Sequence, residues 1–444
     1  MPAKHIIKNF SGLVKGKLAS ERKLVLEIAE ASLKAVMPSF VIPEKVKLNK
    51  EKINVAGKNY SLKKIENVLV IGFGKASGEM ARSLYKILGK KINKGIVASQ
   101  ENSKVGSIKI MKADHPLTGE KTISVSKQIM KLAEEADKKT IVFVLISGGG
   151  SAMFELPAER IKLTELRKLN NLLIKNSVNI CEINTVRKHL STVKGGLLAK
   201  KLSPATVISL VISDVPSNNL SSIASGPTAI DKTSYKDAVK ILKKHKIWRT
   251  APASVRKHLL AGMNGKAEET AKTKKELGKV ENYIIASAES AAHEAVNKAR
   301  EMKIKVKLEK KKISGEARIQ GPKFVHRNNL RKGIVIATGE TTVNVKGKGN
   351  GGRNQEFALA SVKGIKEKTV LLCLASDGKD GDSNYAGAII DSETRKKAEK
   401  LKLDPNKFLK QNNSTAFFKR TRNGIVTGNT ETNVSDVFFL YCGE

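Results

Sequence analysis

The sequence predicts an α/β protein with mainly parallel sheets, divided into two unequal lobes. Strand-sized apolar blocks alternate with stretches whose apolar residues recur at helical spacing. Glycine-rich turns stand directly between a strand and the helix that follows it, as in open α/β sheets. A shift to lysine-rich, helical composition after Ile230 separates two runs of this rhythm.

In the first run, residues 67–72 (NVLVIG) read as a buried strand and 77–88 as the helix after it. Further strands are expected at 95–99, 141–146 and 207–212, because each is a short apolar block bounded by Gly, Ser or charge. Helices are expected at 118–137, 159–176 and 185–200 from apolar spacing of three and four. Helical sequence runs on to about residue 279, interrupted by turn-prone Gly262, Asn264 and Gly265, and forms a boundary zone. The second run has strands at 283–286, 333–338, 370–375 and 437–441 and a helix at 290–302. The domains are accordingly expected at 1–230 and 231–444, with no fixed-period repeat, heptad run or low-complexity linker.

Composition narrows the function classes. No apolar block approaches the roughly 20 residues needed to cross a bilayer, and the N-terminus lacks a secretory signal, so a soluble cytoplasmic protein with no membrane partner is expected. Cys181, Cys373 and Cys442 lie far apart without metal-ligand spacing, which argues against a disulfide framework or a zinc site. The 82 Lys and Arg outnumber 42 Asp and Glu, a net charge of +40. That excess divides equally between residues 1–230 and 231–444, whereas a nucleic-acid-binding protein usually concentrates it in an arm or a patch. Solvation, with attraction of anions as a by-product, is the expected role, and no specific nucleic-acid partner.

The chemistry gathers at expected strand ends. Gly72-Phe73-Gly74-Lys75-Ala76-Ser77-Gly78 joins strand to helix, so backbone amides, a helix N-terminus and the Lys75 charge converge where an anion would sit. The spacing is GxGxxxG and the next strand ends without an acidic residue, which disfavours a dinucleotide site. Ser147-Gly148-Gly149-Gly150-Ser151 follows the next apolar strand and suggests a phosphate or carboxylate cradle; a flexible loop is the structural alternative. Asp214 closes a third strand, where it would hold Mg²⁺, accept a hydroxyl proton or cap the next segment.

In the second run, Gly351-Gly352-Arg353-Asn354 opens a helix and offers a guanidinium fork to phosphate or carboxylate. Asp377, Asp380 and Asp382 follow a buried strand as a metal-capable set. The hydroxyl- and amide-rich residues 427–436, with Thr427, Gly428, Thr430 and Asn433, would finish a polar pocket before the last strand. His115 and His189 read as structural. Glycine-rich anion loops, a Lys, an Arg and acids fit for Mg²⁺ together are what phosphoryl transfer requires.

The ordered motifs VIGFGKASGEMA, ADHPLTGE, LISGGGSAMFELP, NTVRKHLSTVKGGLLA, ISDVPSNNLSSIASGPT, ASAESA, TGETTV, GGRNQEFALA, ASDGKDG and TGNTETNVSD resemble those of the class II glycerate kinases, over nearly the whole chain from about Ser20. The resemblance implies two three-layer α/β/α domains, the first Rossmann-like with a mostly parallel sheet and the second with a mixed sheet containing the MOFRL region at about 330–440. It places the active site in the cleft between them. It implies an ATP- and Mg²⁺-dependent glycerate 2-kinase that converts D-glycerate into 2-phosphoglycerate, with the family's catalytic Lys and Arg falling on Lys75 and Arg353. Asp214 is the candidate for orienting the 2-hydroxyl, and Asp377 for the metal or for that same task. The nucleotide is expected on Gly72, Gly74, Ser147, Gly148, Gly149, Gly150, Ser151, Asn354, Thr427, Gly428, Thr430 and Asn433.

Asn429 and Glu431 stand where relatives commonly have Pro and Gly, and Asn384-Tyr385 replaces a common Asp-Ala, changes that bear on donor and substrate preference. An NAD(P)H-dependent hydroxypyruvate reductase is the rival reading, and a basic nucleic-acid-binding protein a more distant one. Oligomeric state, including a homo-oligomer, stays open.

Overall fold

The computed structural model describes residues 5–328 and 332–443. The chain forms two compact units: Val41–Ile285, and the residues up to Phe40 together with those from Ala286 onward. This differs from the expected division at 230. Strand Lys279–Ala286 joins the first unit's sheet beside Thr206–Ile212. Helices Tyr235–Lys244 and Ala253–Met263 share one apolar cluster with Leu163–Lys175 and Ile180–Lys188, through residues such as Leu242, Leu259, Leu169 and Val186. The lysine-rich stretch is therefore part of the first unit rather than a boundary.

Seven strands build the sheet of Val41–Ile285, in the order Lys279–Ala286, Thr206–Ile212, Thr140–Ile146, Asn67–Phe73, Lys94–Ser99, Ile108–Lys112, Ser103–Val105. The pairs from Thr206–Ile212 to Ile108–Lys112 are parallel, and only Ser103–Val105 is paired antiparallel to its neighbour among those registers. Every residue of Thr140–Ile146 is buried, as a strand covered on both faces requires. Alternation divides those faces. Leu69, Ile71, Val142 and Val144 pack with Val125, Ile129 and Leu132 of helix Glu120–Ala133, while helix Ser77–Leu88 packs on the opposite face with buried Met80, Ala81 and Leu84. A three-stranded antiparallel meander, Val46–Asn49, Lys52–Val55 and Lys58–Ser61, was not expected from the sequence.

Helix 185–200 is also absent as such. It is two helices, Ile180–Lys188 and Leu197–Leu202, separated by a loop in which Gly195 and Gly196 have positive φ and Lys194 turns inward.

The other unit has a mixed sheet in the order Val306–Leu308, Gly333–Thr342, Asp436–Cys442, Thr369–Ala375, Gly387–Asp391, Gly424–Ile425, with Ile313–Glu316 also on Gly333–Thr342. Val306–Leu308 and Ile313–Glu316 are parallel to that strand, and the remaining pairs are antiparallel. Val335, Leu371, Cys373, Phe438 and Leu440 meet Phe324, Phe357, Phe417 and Phe418 on one face, while helices Ala19–Lys34 and Ala288–Glu301 cover the other. Each unit thus has its sheet between helical layers, the α/β/α arrangement expected. Among the described residues no helix is long and apolar enough to cross a membrane.

Candidate active site

From Asn67–Phe73 the chain winds outward through Lys94–Ser99 and Ile108–Lys112, then returns to the opposite side at Thr140–Ile146. The sheet's topological switch point therefore lies between Asn67–Phe73 and Thr140–Ile146, the place where ligands enter an open parallel sheet. Both glycine loops emerge there.

The two loops are interlocked. Ser147 N donates to Phe73 O (3.2 Å), Lys75 N to Gly148 O (2.9 Å) and Ala76 N to Ser147 Oγ (3.0 Å), and Ser77 Oγ donates to Leu145 O (3.1 Å). Gly74 has φ +128°, and a Cβ there would lie 2.4 Å from Ser147 Oγ and 2.5 Å from Ser147 O, so any side chain would force the loops apart. The loop amides around Lys75 are thereby spent on protein acceptors. Among the described residues, the amides of Gly148, Gly149 and Ser151 have no protein acceptor, and these are the donors left for an anion. Gly72 is different: it lies inside the strand, with Leu145 and Val97 closing over it, and its part is packing.

Lys75 is half-buried and, among the described residues, has no carboxylate within ion-pair distance. The His115 ring is its neighbour. A Cβ on Gly149 would lie 3.0 Å from His115 Cδ2 and 3.3 Å from Lys75 Cγ. Burial, then the Lys75 charge, push the His115 pKa below the ordinary histidine value, so the imidazole stays neutral beside the ammonium. Asp214, half-buried, follows the adjacent parallel strand Thr206–Ile212 at the same edge of the sheet.

Beneath the Ser147–Ser151 loop lies a group that motif reading did not assign. Lys194, fully buried, donates to Ser151 O (2.9 Å) and Phe154 O (2.8 Å) and pairs with buried Glu155 at 3.3 Å. Ser151 Oγ meets Ser225 Oγ at 2.9 Å, and Ser225 reaches Asn184 Oδ1 at 3.3 Å. Lys188, also buried, pairs with Asp231 at 2.6 Å. The only sequence signal was a lysine before two glycines in an otherwise helical stretch.

In the second unit Arg353 opens helix Arg353–Ser361 as expected. Sheet register puts Asp436 opposite Gly339 on one side and Ala375 on the other, and Asp436 receives Arg353 Nε (2.6 Å) and Nη2 (3.0 Å). Arg353 Nη1 donates to Glu340 (2.8 Å). Burial works against the guanidinium charge, but Asp436, followed by Glu340 and Asp380, outweighs it and raises the Arg353 pKa. The side chain keeps 32% exposure, so part of its donor fork faces outward.

The three aspartates after Thr369–Ala375 do not form a set. Asp380 turns inward and accepts Asn354 N (2.9 Å) and Gln355 N (2.8 Å), which closes the N-terminus of the Arg353 helix with a protein carboxylate. Asn354 is fully buried and its amide also bonds Asp380, so it supports the helix start. Asp377 remains half-exposed, with its Oδ1 accepting Lys379 N (3.1 Å).

Thr430 N and Thr430 Oγ1 bond Asp377 O and Ser376 O, tying 427–436 to the Asp377 turn. Thr427 and Thr430 are buried, whereas Gly428 and Asn433 are partly open. Among the described residues no group of three or more His, Cys, Asp or Glu forms a metal cage. One carboxylate, from Asp377 or Asp214, would suit Mg²⁺ that keeps waters and takes its other ligands from a substrate's phosphates.

An unpaired lysine at the switch point of a doubly wound sheet, and a carboxylate-held arginine at a helix start, define an α/β protein equipped to handle phosphate or carboxylate. Comparison with known proteins agrees with this class. Residues 24–260 match the domain described as Domain of unknown function (DUF4147), and residues 333–436 match the MOFRL family. Glycerate 2-kinase of Pyrococcus horikoshii is 38% identical over 94% of this chain and 96% of its own. D-glycerate 2-kinase of Thermotoga maritima is 36% identical over 94% and 97%. The crystal structure of glycerate kinase from Thermotoga maritima superposes with a TM-score of 0.84 at 35% identity, covering 95% of this chain and 99% of that one. The chain belongs to the class II glycerate kinases, the glycerate 2-kinase family with a MOFRL domain.

Proposed function

We propose that this glycerate 2-kinase takes the γ-phosphoryl group from ATP with Mg²⁺ and that Lys75 and Arg353 are its principal cationic groups. The observation that carries the reading is Lys75: a half-buried ammonium, unpaired among the described residues, at the sheet's switch point beside three unspent loop amides. A phosphoryl group in flight spreads negative charge over its oxygens, and a positioned cation in a partly water-excluded loop stabilises that charge more than the ground state.

In this reading Gly148, Gly149 and Ser151 hold nucleotide phosphate through their amides and Lys75 neutralises the transferring group. With no carboxylate within ion-pair distance among the described residues, the Lys75 charge is left undiluted. Asp214 orients the 2-hydroxyl of D-glycerate and accepts its proton as the oxygen attacks phosphorus. Arg353, held in one rotamer by Asp436, presents its remaining donors to the substrate carboxylate. Asp377 and the 427–436 loop are proposed for the metal–nucleotide complex; Mg²⁺ would neutralise phosphate charge there.

The test is an assay coupling ADP release to NADH oxidation, with D-glycerate and Mg·ATP. Turnover that needs both substrates, and is lost with EDTA, supports the reading. Turnover of NADH by hydroxypyruvate alone, without ATP, would replace it with a reductase.

A further inference from the structure

A cavity of about 720 Å³ lies within the second unit, walled by three separate segments: residues 9–22, 385–400 and 419–426. Its size is that of a small-molecule site. Seven of its 17 lining residues are Lys or Arg and one is acidic, whereas Lys and Arg are 82 of 444 in the whole chain. The enrichment is more than twofold in a protein already rich in lysine. Among the described residues, Lys15, Lys397, Lys400, Lys419 and Arg422 have no carboxylate within ion-pair distance.

The floor is built rather than loose. Arg22, buried, is fixed by Asp391 (2.6 Å), Thr394 Oγ1 (3.1 Å) and Leu13 O (3.2 Å). Asn423 Nδ2 donates to Ile389 O (2.9 Å), and Lys397 Nζ to Thr421 O (2.7 Å). Burial, then the charges of Arg422 and Arg22, lower the Lys397 pKa. The wall includes Tyr385. Arg353, Asp377 and Asp436 are not among the lining residues.

We propose that this cavity is a binding site for a small anion carrying two or more phosphate groups, separate from the catalytic groups. Five uncompensated cations from three segments exceed what one phosphate neutralises, and exposed cations gathered around one half-open cavity attract a compact polyanion more than the same charges dispersed over a surface.

The probe is inorganic tripolyphosphate, titrated calorimetrically into the full-length protein at 0.15 M salt in Mg²⁺-free buffer with a non-hydrolysable ATP analogue present. One saturable site is expected, weakened at least about tenfold by Lys400→Glu/Lys419→Glu. A control of equal charge change on the other unit, Lys168→Glu/Lys240→Glu, should shift affinity less than about twofold. Arg422→Asn, which suits the left-handed backbone there (φ +59°), should weaken binding in the same direction if the double variant folds poorly. No saturable binding by the wild type, or equal weakening by both double variants, would overturn the proposal, since only diffuse charge attraction would remain.

Discussion

Asp436 holds Arg353 through two parallel hydrogen bonds, Nε to Oδ2 at 2.6 Å and Nη2 to Oδ1 at 3.0 Å, with Asp436 itself fully buried. The arginine proposed for substrate binding is thus aimed by the first residue of the last strand, Asp436–Cys442. Glu340, on the same guanidinium, is half exposed and contributes less.

Asp436→Asn should keep the fold but let Arg353 drift, lowering kcat/KM by about 10- to 100-fold, the scale of a misplacement near 1 Å. Glu340→Gln should change it less than about threefold. Steady-state kinetics on both variants, with melting curves as the fold control, check the contrast. Equal losses would mean that Asp436 does not position Arg353.

Lys75→Ala should lower kcat by about two to four orders of magnitude, the scale of losing one preorganised charge. The melting curve should be unchanged, because the Lys75 side chain makes no ion pair among the described residues. Undiminished turnover would remove Lys75 from the mechanism.

Elements that bury apolar residues on both faces were legible from sequence. Thr140–Ile146, Thr206–Ile212 and Thr369–Ala375 all fall within a residue of expectation, because continuous apolar runs bounded by glycine or charge have few other uses. The meander at 46–61 was not, since each four-residue strand buries only one or two side chains. Nor did the sequence show that residues before Phe40 belong with the C-terminal sheet; the Arg22–Asp391 pair that ties them spans 369 residues. At the candidate site Lys75 and Arg353 stood out by residue type and position. Which of Asp377, Asp380 and Asp382 turns inward to close the Arg353 helix is decided by packing, which a string of alternating acids does not encode.

Removing the Lys194 ammonium would leave Glu155 buried without its cation and two carbonyls without a donor. Lys194→Met should therefore destabilise the protein by about 3–5 kcal/mol in chemical denaturation. Lys194→Met/Glu155→Met should recover part of that loss, since no uncompensated charge remains buried. A single variant as stable as the wild type would show that the pair is dispensable.

His115 carries a pH signature. Its folded pKa lies below the unfolded value of about 6.5, so the unfolded chain binds the proton more readily. This contribution to stability is complete above pH 6.5 and is lost as pH falls below it. Melting temperatures at pH 7.5 and 5.5 should accordingly fall less steeply for His115→Gln than for wild type. Identical pH slopes would mean that His115 does not feel burial and Lys75 as the structure places it.

The most direct measurement is the position of the new phosphate. D-glycerate and Mg·ATP are incubated with the enzyme, and the product is offered to enolase, which acts on 2-phosphoglycerate but not on its 3-phospho isomer. The account predicts immediate, stoichiometric formation of phosphoenolpyruvate. Product that enolase leaves untouched until a mutase is added would contradict it.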